Sequence, residues 1–403
     1  MAKGHNGSDA YGGCMRGLRF PKEETARRVA RIRKTMERRG LDLLVVFSSP
    51  GSMRYGQRGH VLYLSGYEPY FGNAMVIIPV EKGKDSLLQT DSADYFPSEC
   101  TWIENVVSAQ DPARTIVDYM REERLEGARI GLVGEYTVPP QLLGRFRRML
   151  RDSKVMLVSD ILEDERAVKS EHEISCIKKA LDIAKKGIDA GAACAKPGLS
   201  ERTITGEIER QCRLAGSEGF PHNTMVTSGT NEMHLEWWWY CGDRKLKKND
   251  SWNIDLGTMF GGYCCDIARS LCLGRATRRH HQAYEQLIMA FEAAMESAVP
   301  GEMASEVNRA AEAVLNKRFE GDFSGIGHGV GLEVHEWPFV GYEYILNDPV
   351  YRDRELKENM VISVEPQVYL KEFGYLQFED EFVVTRSGGK RLSRQPLALI
   401  EIR

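Results

Sequence analysis

The sequence predicts a two-domain α+β protein, and three observations carry that expectation. At 403 residues the chain is long enough for two domains or one large one. From Arg19 to Asp160, helical stretches alternate with apolar strand-like runs, which argues α/β for that part. From Glu163 onward the order becomes two helices, strands bearing an acid, two more helices, and strands bearing an acid again. That order suggests an internal near-repeat, without visible identity between its halves. The expected division is a flexible arm at 1–18, an N-terminal α/β domain at 19–160 and a C-terminal domain at 161–403.

Composition narrows the class. The chain is 42% hydrophobic and 28% charged, which fits a globular protein rather than a disordered one. Its formal charge of −4 comes from well-mixed acids and bases, so neither nucleic acid nor a membrane surface is expected as a partner. No apolar run is long enough to span a bilayer, and the polar start Met1-Ala-Lys-Gly-His lacks a secretion-type apolar core. Nine cysteines, odd in number and without a C-x-x-C, read as reduced thiols. Together these features lead us to expect a cytoplasmic protein.

The elements follow in order. Pro21 to Arg39 is helical, with Ala26, Val29, Ile32 and Met36 near one face, and Gly40 ends it. Leu41–Phe47, Val61–Tyr67 and Ala74–Pro79 read as strands, with a Gly/Arg-rich loop at Gly51–His60. Ala113–Glu123 and Gln141–Leu150 read as helices, and Arg129–Val133 and Val155–Val158 as strands. Glu163–Glu173 is a charge-dense connection, followed by a long helix with Ile174, Ile177, Leu181, Ala184 and Ile188 on one stripe. Pro197-Gly198 stops it, and Ser200 caps the next helix. Thr224–Ser228 then leads to two strands around Asp255 and Asp266. Two amphipathic helices follow, marked by Tyr284–Met295 and Ala304–Leu315. Strands return at Val361–Glu365 and Phe378–Thr385.

Trp252-Asn-Ile-Asp-Leu-Gly-Thr and Gly262-Tyr-Cys-Cys-Asp-Ile-Ala-Arg-Ser place two acids inside apolar strands. Asp is a poor strand former, and a buried carboxylate needs a partner or a cation. Alone, Asp255 and Asp266 fit hairpin-turn caps as well as metal ligands. His328 in a glycine-dense loop, His335 before Glu-Trp-Pro, Glu365 before Pro366, and Glu379 each have an equally ordinary reading. As one set, two Asp, one His and two Glu suit Mn²⁺, Fe²⁺, Co²⁺ or Zn²⁺. Four carboxylates exceed the need of one divalent ion, so a pair about 3.5–4 Å apart absorbs their charge better. Cys264 and Cys265 beside Asp266 read as buried small hydrophobes, with a soft metal ligand as the alternative.

The order and context of these residues resemble the pita-bread metallopeptidase family, in its prolidase, Xaa-Pro aminopeptidase and creatinase branch. Arg166-Ala-Val-Lys169 with Glu173, Ser228-Gly229 with Asn231 and His234, and Tyr63-Leu-Ser-Gly-Tyr67 add to the likeness. The resemblance implies a C-terminal pita-bread catalytic domain behind a smaller creatinase-type N-terminal domain. It implies Asp255, Asp266, His328, Glu365 and Glu379 as ligands, with Asp266 and Glu379 bridging two divalent ions. Manganese is the first expectation, and Co²⁺, Fe²⁺ or Zn²⁺ are alternatives. It further implies a homodimer, and a hydrolase in which a hydroxide bridging the metals cleaves an amide of an Xaa-Pro peptide. Glu365 would be the general base, and His234 and His335 would hydrogen-bond substrate and oxyanion.

Two features depart from that pattern. Gln377 stands two residues before the last ligand, where prolidases commonly carry Arg, which bears against a free Xaa-Pro dipeptide. Trp237–Trp239 cannot all face one side of a strand and could line a substrate cavity, a dimer contact or a core. The runner-up is a non-peptidase acting on a small metabolite, by dimethylsulfoniopropionate-type C–S cleavage or ectoine- or creatine-type hydrolysis. A non-catalytic binding protein would have lost ligands, and none of the five is lost.

Overall fold

The structure, a computed structural model, describes residues 19–48, 59–68, 72–81, 84–89, 101–135, 138–229, 241–317, 319, 323–341 and 352–403. The N-terminal arm, residues 51–58 of the Gly/Arg loop, His234 and Trp237–Trp239 lie outside the described residues. The chain divides into two compact units between Leu162 and Glu163.

The first unit is built on a mixed six-stranded sheet. Its elements are α1 (Lys22–Arg39), β1 (Leu43–Ser48), α2 (Gly59–Ser65), β2 (Ala74–Pro79), β3 (Ser86–Gln89), β4 (Asn105–Ser108), α3 (Pro112–Glu122), β5 (Arg129–Val133), α4 (Pro140–Met149) and β6 (Lys154–Leu157). The strand order is β4-β3-β2-β1-β5-β6, with β1 antiparallel to β2 and parallel to β5. Gly40, at φ +64°, ends α1 in the left-handed region that glycine adopts without a Cβ penalty. Ile116, Met120 and Phe146 pack with Leu43, Val45, Ile130 and Leu132 into one core.

Val61–Tyr67 is a correction. The run read as a strand, but its residues form α2, buried all round, ending at Gly66 with φ +76°. A short apolar run carries no period that separates a strand from a buried helix. The Ser48 hydroxyl accepts the Val61 N–H at the helix start, and Ser65 Oγ donates to the Val61 carbonyl, so local polar bonds settle the helix.

The second unit opens with a further correction. The charge-dense connection is partly helical: α5 (Asp160–Ala167) precedes α6 (Glu171–Cys194) and α7 (Glu201–Leu214). Ser170 and Glu173 form a capping box on α6, and Ser200 caps α7. Strands β7 (Met225–Ser228), β8 (Ser251–Phe260) and β9 (Tyr263–Leu273) follow, then α8 (Arg278–Ser297) and α9 (Ala304–Leu315). The chain ends with β10 (Phe323–Ser324), β11 (Gly327–Gly329), β12 (Glu336–Val340), β13 (Val361–Val364), β14 (Gln367–Leu370), β15 (Gly374–Thr385), β16 (Gly388–Arg391) and β17 (Ile400–Ile402). Among the described residues, eleven strands join in one sheet whose main path is β12-β11-β13-β15-β9-β8-β7. The pair α6–α7 packs on β8, where Gly191 lets Ile208 and Ile254 approach the helix. The pair α8–α9 packs on the other half, with Leu287, Phe291, Val307 and Ala311 in one core with Val364, Phe378 and Phe382. Helix pair, acid-bearing strands, helix pair, acid-bearing strands is the order read from the sequence.

Strands β9 and β15 are locked together by a buried ion pair. Arg269 Nη2 donates to Asp380 Oδ2 at 2.6 Å, with both side chains fully buried. Arg269 Nη1 also donates to the carbonyls of Ala268 and Glu379, and the guanidinium lies over the Phe378 ring. Removing one partner of such a pair strands the other charge in the interior, at a cost of about 3–5 kcal/mol. Asp380→Ala is therefore expected to lower unfolding free energy by about that amount, read as an earlier urea midpoint. A loss under about 1 kcal/mol would mean that the pair does not hold the strands.

Candidate metal centre

Strand register sets which side chains meet. In β8 and β9, Gly257 pairs with Asp266 and Asp255 with Ala268. Ala268 also pairs with Glu379 on β15. Residues two apart in a strand share a face, so Asp255, Asp266 and Glu379 share one. On the far side of β15, Glu381 pairs with Ser363 of β13, which pairs with His328 of β11. The same parity puts His328 and Ser363 on that face. Glu365 follows directly after β13, one step beyond the Val364–Asp380 pair.

The five residues singled out as ligands are buried and adjoining. His328, Glu365 and Glu379 offer ligand atoms within 4.8 Å of one another, and so do Asp266, His328 and His335. His328 Nε2 stands 3.8 Å from Asp266 Oδ2 and 3.8 Å from Glu379 Oε1. It has no hydrogen-bond partner among the described residues. Its Nδ1 donates to the Gly329 carbonyl at 3.2 Å, so Nε2 is the nitrogen aimed at the carboxylates. Burial pushes the pKa of His328 down, keeping the neutral imidazole that a metal requires. A buried, unpartnered imidazole nitrogen facing hard oxygen donors fits a divalent cation.

Electrostatics point the same way. Burial, then the charges of Asp255 and Asp266, push Glu365 well above the usual carboxylate range. Burial and the Asp266, Glu365 and Asp255 charges do the same to Glu379. Ser363 Oγ donates to Glu379 Oε1 at 2.9 Å, and Asp266 N–H donates to Glu381 Oε1 at 2.6 Å. These bonds hold the carboxylates in place.

One residue differs from its sequence reading. His328 stands in strand β11, whereas it was read in a loop. Gly327 and Gly329 let that strand lie between β12 and β13, because a Cβ at either would strike a backbone carbonyl of Ser363 or Trp337. Cys264 and Cys265 are fully buried, their thiols turned to Leu332 and Thr258, and neither belongs to a metal-binding group among the described residues. Gln377 is buried, and its Nε2 donates to Asp255 Oδ2 at 3.4 Å, so its amide serves a carboxylate of the site. His335 lies beside His328, ring centroids 4.0 Å apart. Glu336 anchors that segment by accepting from Lys169 Nζ at 2.8 Å and from Arg166.

One site residue escaped the sequence reading altogether. His222, in the turn before β7, is buried with Nε2 3.1 Å from Asp266 Oδ1 and 3.8 Å from Asp255 Oδ1. Burial opposes its charge, but Asp266 and Asp255 outweigh that and push it up to about 9. With Asp255 and Asp266 it forms a third group of close ligand atoms.

Residues 175–386 match metallopeptidase family M24, and residues 28–168 match the creatinase/prolidase N-terminal domain. The chain is 28% identical over 376 residues to an Xaa-Pro dipeptidase of Pyrococcus horikoshii, covering 93% of this chain and 98% of the relative. It is 26% identical over 348 residues to an Xaa-Pro dipeptidase of Pyrococcus furiosus, covering 85% and 92%. Among solved structures it is similar to a prolidase from Pyrococcus horikoshii, with a TM-score of 0.75, 27% identity, and coverage of 92% of this chain and 99% of that one. An X-Pro aminopeptidase from Thermotoga maritima shares the fold at a TM-score of 0.80 and 24% identity, covering 93% and 99%.

The glycines of β11 carry a prediction. Gly329→Ala sets a methyl against the Trp337 carbonyl and is expected to cost about 1–3 kcal/mol by overpacking. Urea unfolding reads this directly, and unchanged stability would mean that β11 has room to spare.

Proposed function

The chain belongs to metallopeptidase family M24, and from that premise we propose that it is an X-Pro-directed peptidase with a dinuclear metal centre. The observation that carries this reading is the single buried face holding Asp255, Asp266, His328, Glu365 and Glu379. In this reading Asp255, Asp266, His328, Glu365 and Glu379 would hold two divalent ions, with Asp266 and Glu379 serving both. When bound, such a pair lowers the pKa of a water toward neutrality and polarises the scissile carbonyl. With the ions bound, Glu365 would be the general base that takes the proton from the attacking water and hands it to the leaving nitrogen. His335, beside His328, donates to the oxygen that gains charge in the transition state, and His234 is assigned to substrate binding by resemblance.

The names of the relatives support an Xaa-Pro substrate over a small metabolite. Gln377 qualifies the substrate. With a neutral amide committed to Asp255, this position supplies no cation for a free dipeptide carboxylate, so longer X-Pro peptides fit better. Manganese as the resident ion and a homodimer, taken from the resemblance, and a cytoplasmic location, taken from composition and the cysteines, complete the proposal.

The test is an assay of protein loaded with Mn²⁺, Co²⁺ or Fe²⁺ against Xaa-Pro dipeptides and longer X-Pro peptides. Hydrolysis that disappears with a chelator supports the reading, and failure to bind any of these metals overturns it. Asp266→Ala is expected to abolish both metal uptake and turnover, and full activity in that variant would refute a bridging role. Ser363→Ala, which removes the hydrogen bond to Glu379, is expected to weaken metal affinity about 10- to 100-fold while leaving every ligand present. Isothermal titration with Mn²⁺ measures it.

A further inference from the structure

Resting on the dinuclear reading above, we propose that His222 is an additional protein ligand, giving the ion held by Asp255 and Asp266 an imidazole nitrogen. Three observations support this. The first is tautomer. His222 Nδ1 lies 2.9 Å from the Asn223 carbonyl, which can only accept, so Nδ1 carries a proton. Without a metal, protonated Nε2 donates a hydrogen bond to Asp266 at 3.1 Å, and a bound ion would release that proton and take its place. His328 is arranged the same way, with Nδ1 on the carbonyl of the residue after it and Nε2 on the carboxylates. An imidazole whose far nitrogen donates to a backbone carbonyl is the usual arrangement of a metal-bound histidine.

The second observation is distance. With bonds of about 2.0–2.2 Å, two donors on one ion stand about 3 Å apart at a right angle and about 4 Å apart when opposed. The 3.1 Å and 3.8 Å separations of His222 Nε2 from Asp266 and Asp255 fall inside that window. Gln377 holds the other Asp255 oxygen, which leaves Oδ1 turned toward His222.

The third is room made for the ring. Gly257 occupies the ligand face of β8, directly opposite Asp266. A Cβ there would lie 2.8 Å from His222 Nε2, closer than such contacts occur. The strand thus lacks a side chain at the one point where the imidazole enters.

The consequence is chemical. One ion would have Asp255, Asp266 and His222, and the other His328, Glu365 and Glu379, with Asp266 and Glu379 shared. Each ion would then have one imidazole. Imidazole suits Fe²⁺, Co²⁺ and Zn²⁺ better than Mn²⁺, whereas carboxylates favour Mn²⁺. The added nitrogen shifts the preference of this centre toward the former group.

Proton NMR of the Co²⁺-loaded protein tests the assignment, because each Co²⁺-bound imidazole shows a hyperfine-shifted, solvent-exchangeable ring N–H. Two such signals are expected in the unaltered protein, and one is expected to vanish in His222→Phe. Titration of His222→Phe with Co²⁺ is expected to show one of the two ions bound at least about tenfold more weakly, since even loss of an outer partner costs that much. The preference for Co²⁺ over Mn²⁺ should fall with it. Two bound ions with a single exchangeable signal, or two signals that both survive in His222→Phe, overturn the inference and leave the dinuclear reading intact. No Co²⁺ bound at all overturns the dinuclear reading, and the inference with it. The signal count in the unaltered protein stands even if the variant fails to fold.

Discussion

The Arg269–Asp380 pair is the constraint on which the site depends. It joins β9 and β15 at the point where Asp266 and Glu379 leave those strands on the other face. A slip of one residue in a strand pair turns every side chain to the opposite face. Here it would move Glu379 away from Asp266. Hydrophobic burial does little to prevent that, because both faces of β9 and most of β15 are buried and read alike to an apolar core. A buried guanidinium that needs its carboxylate penalises the slipped register by several kcal/mol, so the ion pair specifies what packing leaves degenerate.

The hairpin of β8 and β9 supplies the second part of the frame. Gly261 and Gly262, at φ +60° and +82°, close it in the two-residue turn that matches strand twist. Glu218 accepts both glycine N–H groups at 2.8 Å. With the turn fixed, the offset between Asp255 and Asp266 is fixed too, because Gly257 and not Asp255 lies across from Asp266. The two carboxylates are therefore staggered along the face, and Asp266 belongs to two of the three groups of close ligand atoms while Asp255 belongs to one.

Much of this was legible in the sequence, for reasons that differ by residue. Asp255 and Asp266 stood out because an acid within an apolar run is costly and so carries information. The long helices showed their period, and Ser200 and Gly40 behaved as caps. Val61–Tyr67 was not legible, since an apolar run of that length fits a buried helix and a strand equally. The strand of His328 was hidden by glycines, which lower strand propensity in the same positions that let β11 lie close to its neighbours. His222 was hidden because a lone histidine after proline in a polar turn has no period and no motif. Its one trace was Gly257, a glycine inside a strand of large residues, which marks close approach of another group.

Sheet parity also explains how the site stays available to cations. Among the described residues, the buried cations Arg269, Arg166 and Lys169 are engaged by carboxylates outside the set of five. Arg269 answers Asp380, which alternates with Glu379 and Glu381 and so points the other way. Arg166 and Lys169 answer Glu336, and Arg166 also answers Glu333. On the ligand face, β15 offers Gln377, whose amide orients Asp255 without neutralising it. Had Gln377 been an arginine directed at the same carboxylate, it would have held that charge permanently and competed with any ion for it. A neutral donor keeps Asp255 aligned and adds no positive charge to it. Burial and mutual repulsion, which push Glu365 and Glu379 far from their ordinary ionisation, are what a pair of divalent ions would relieve. The crowded carboxylates and the uncharged Gln377 donor beside them are thus one arrangement, which bound cations would complete.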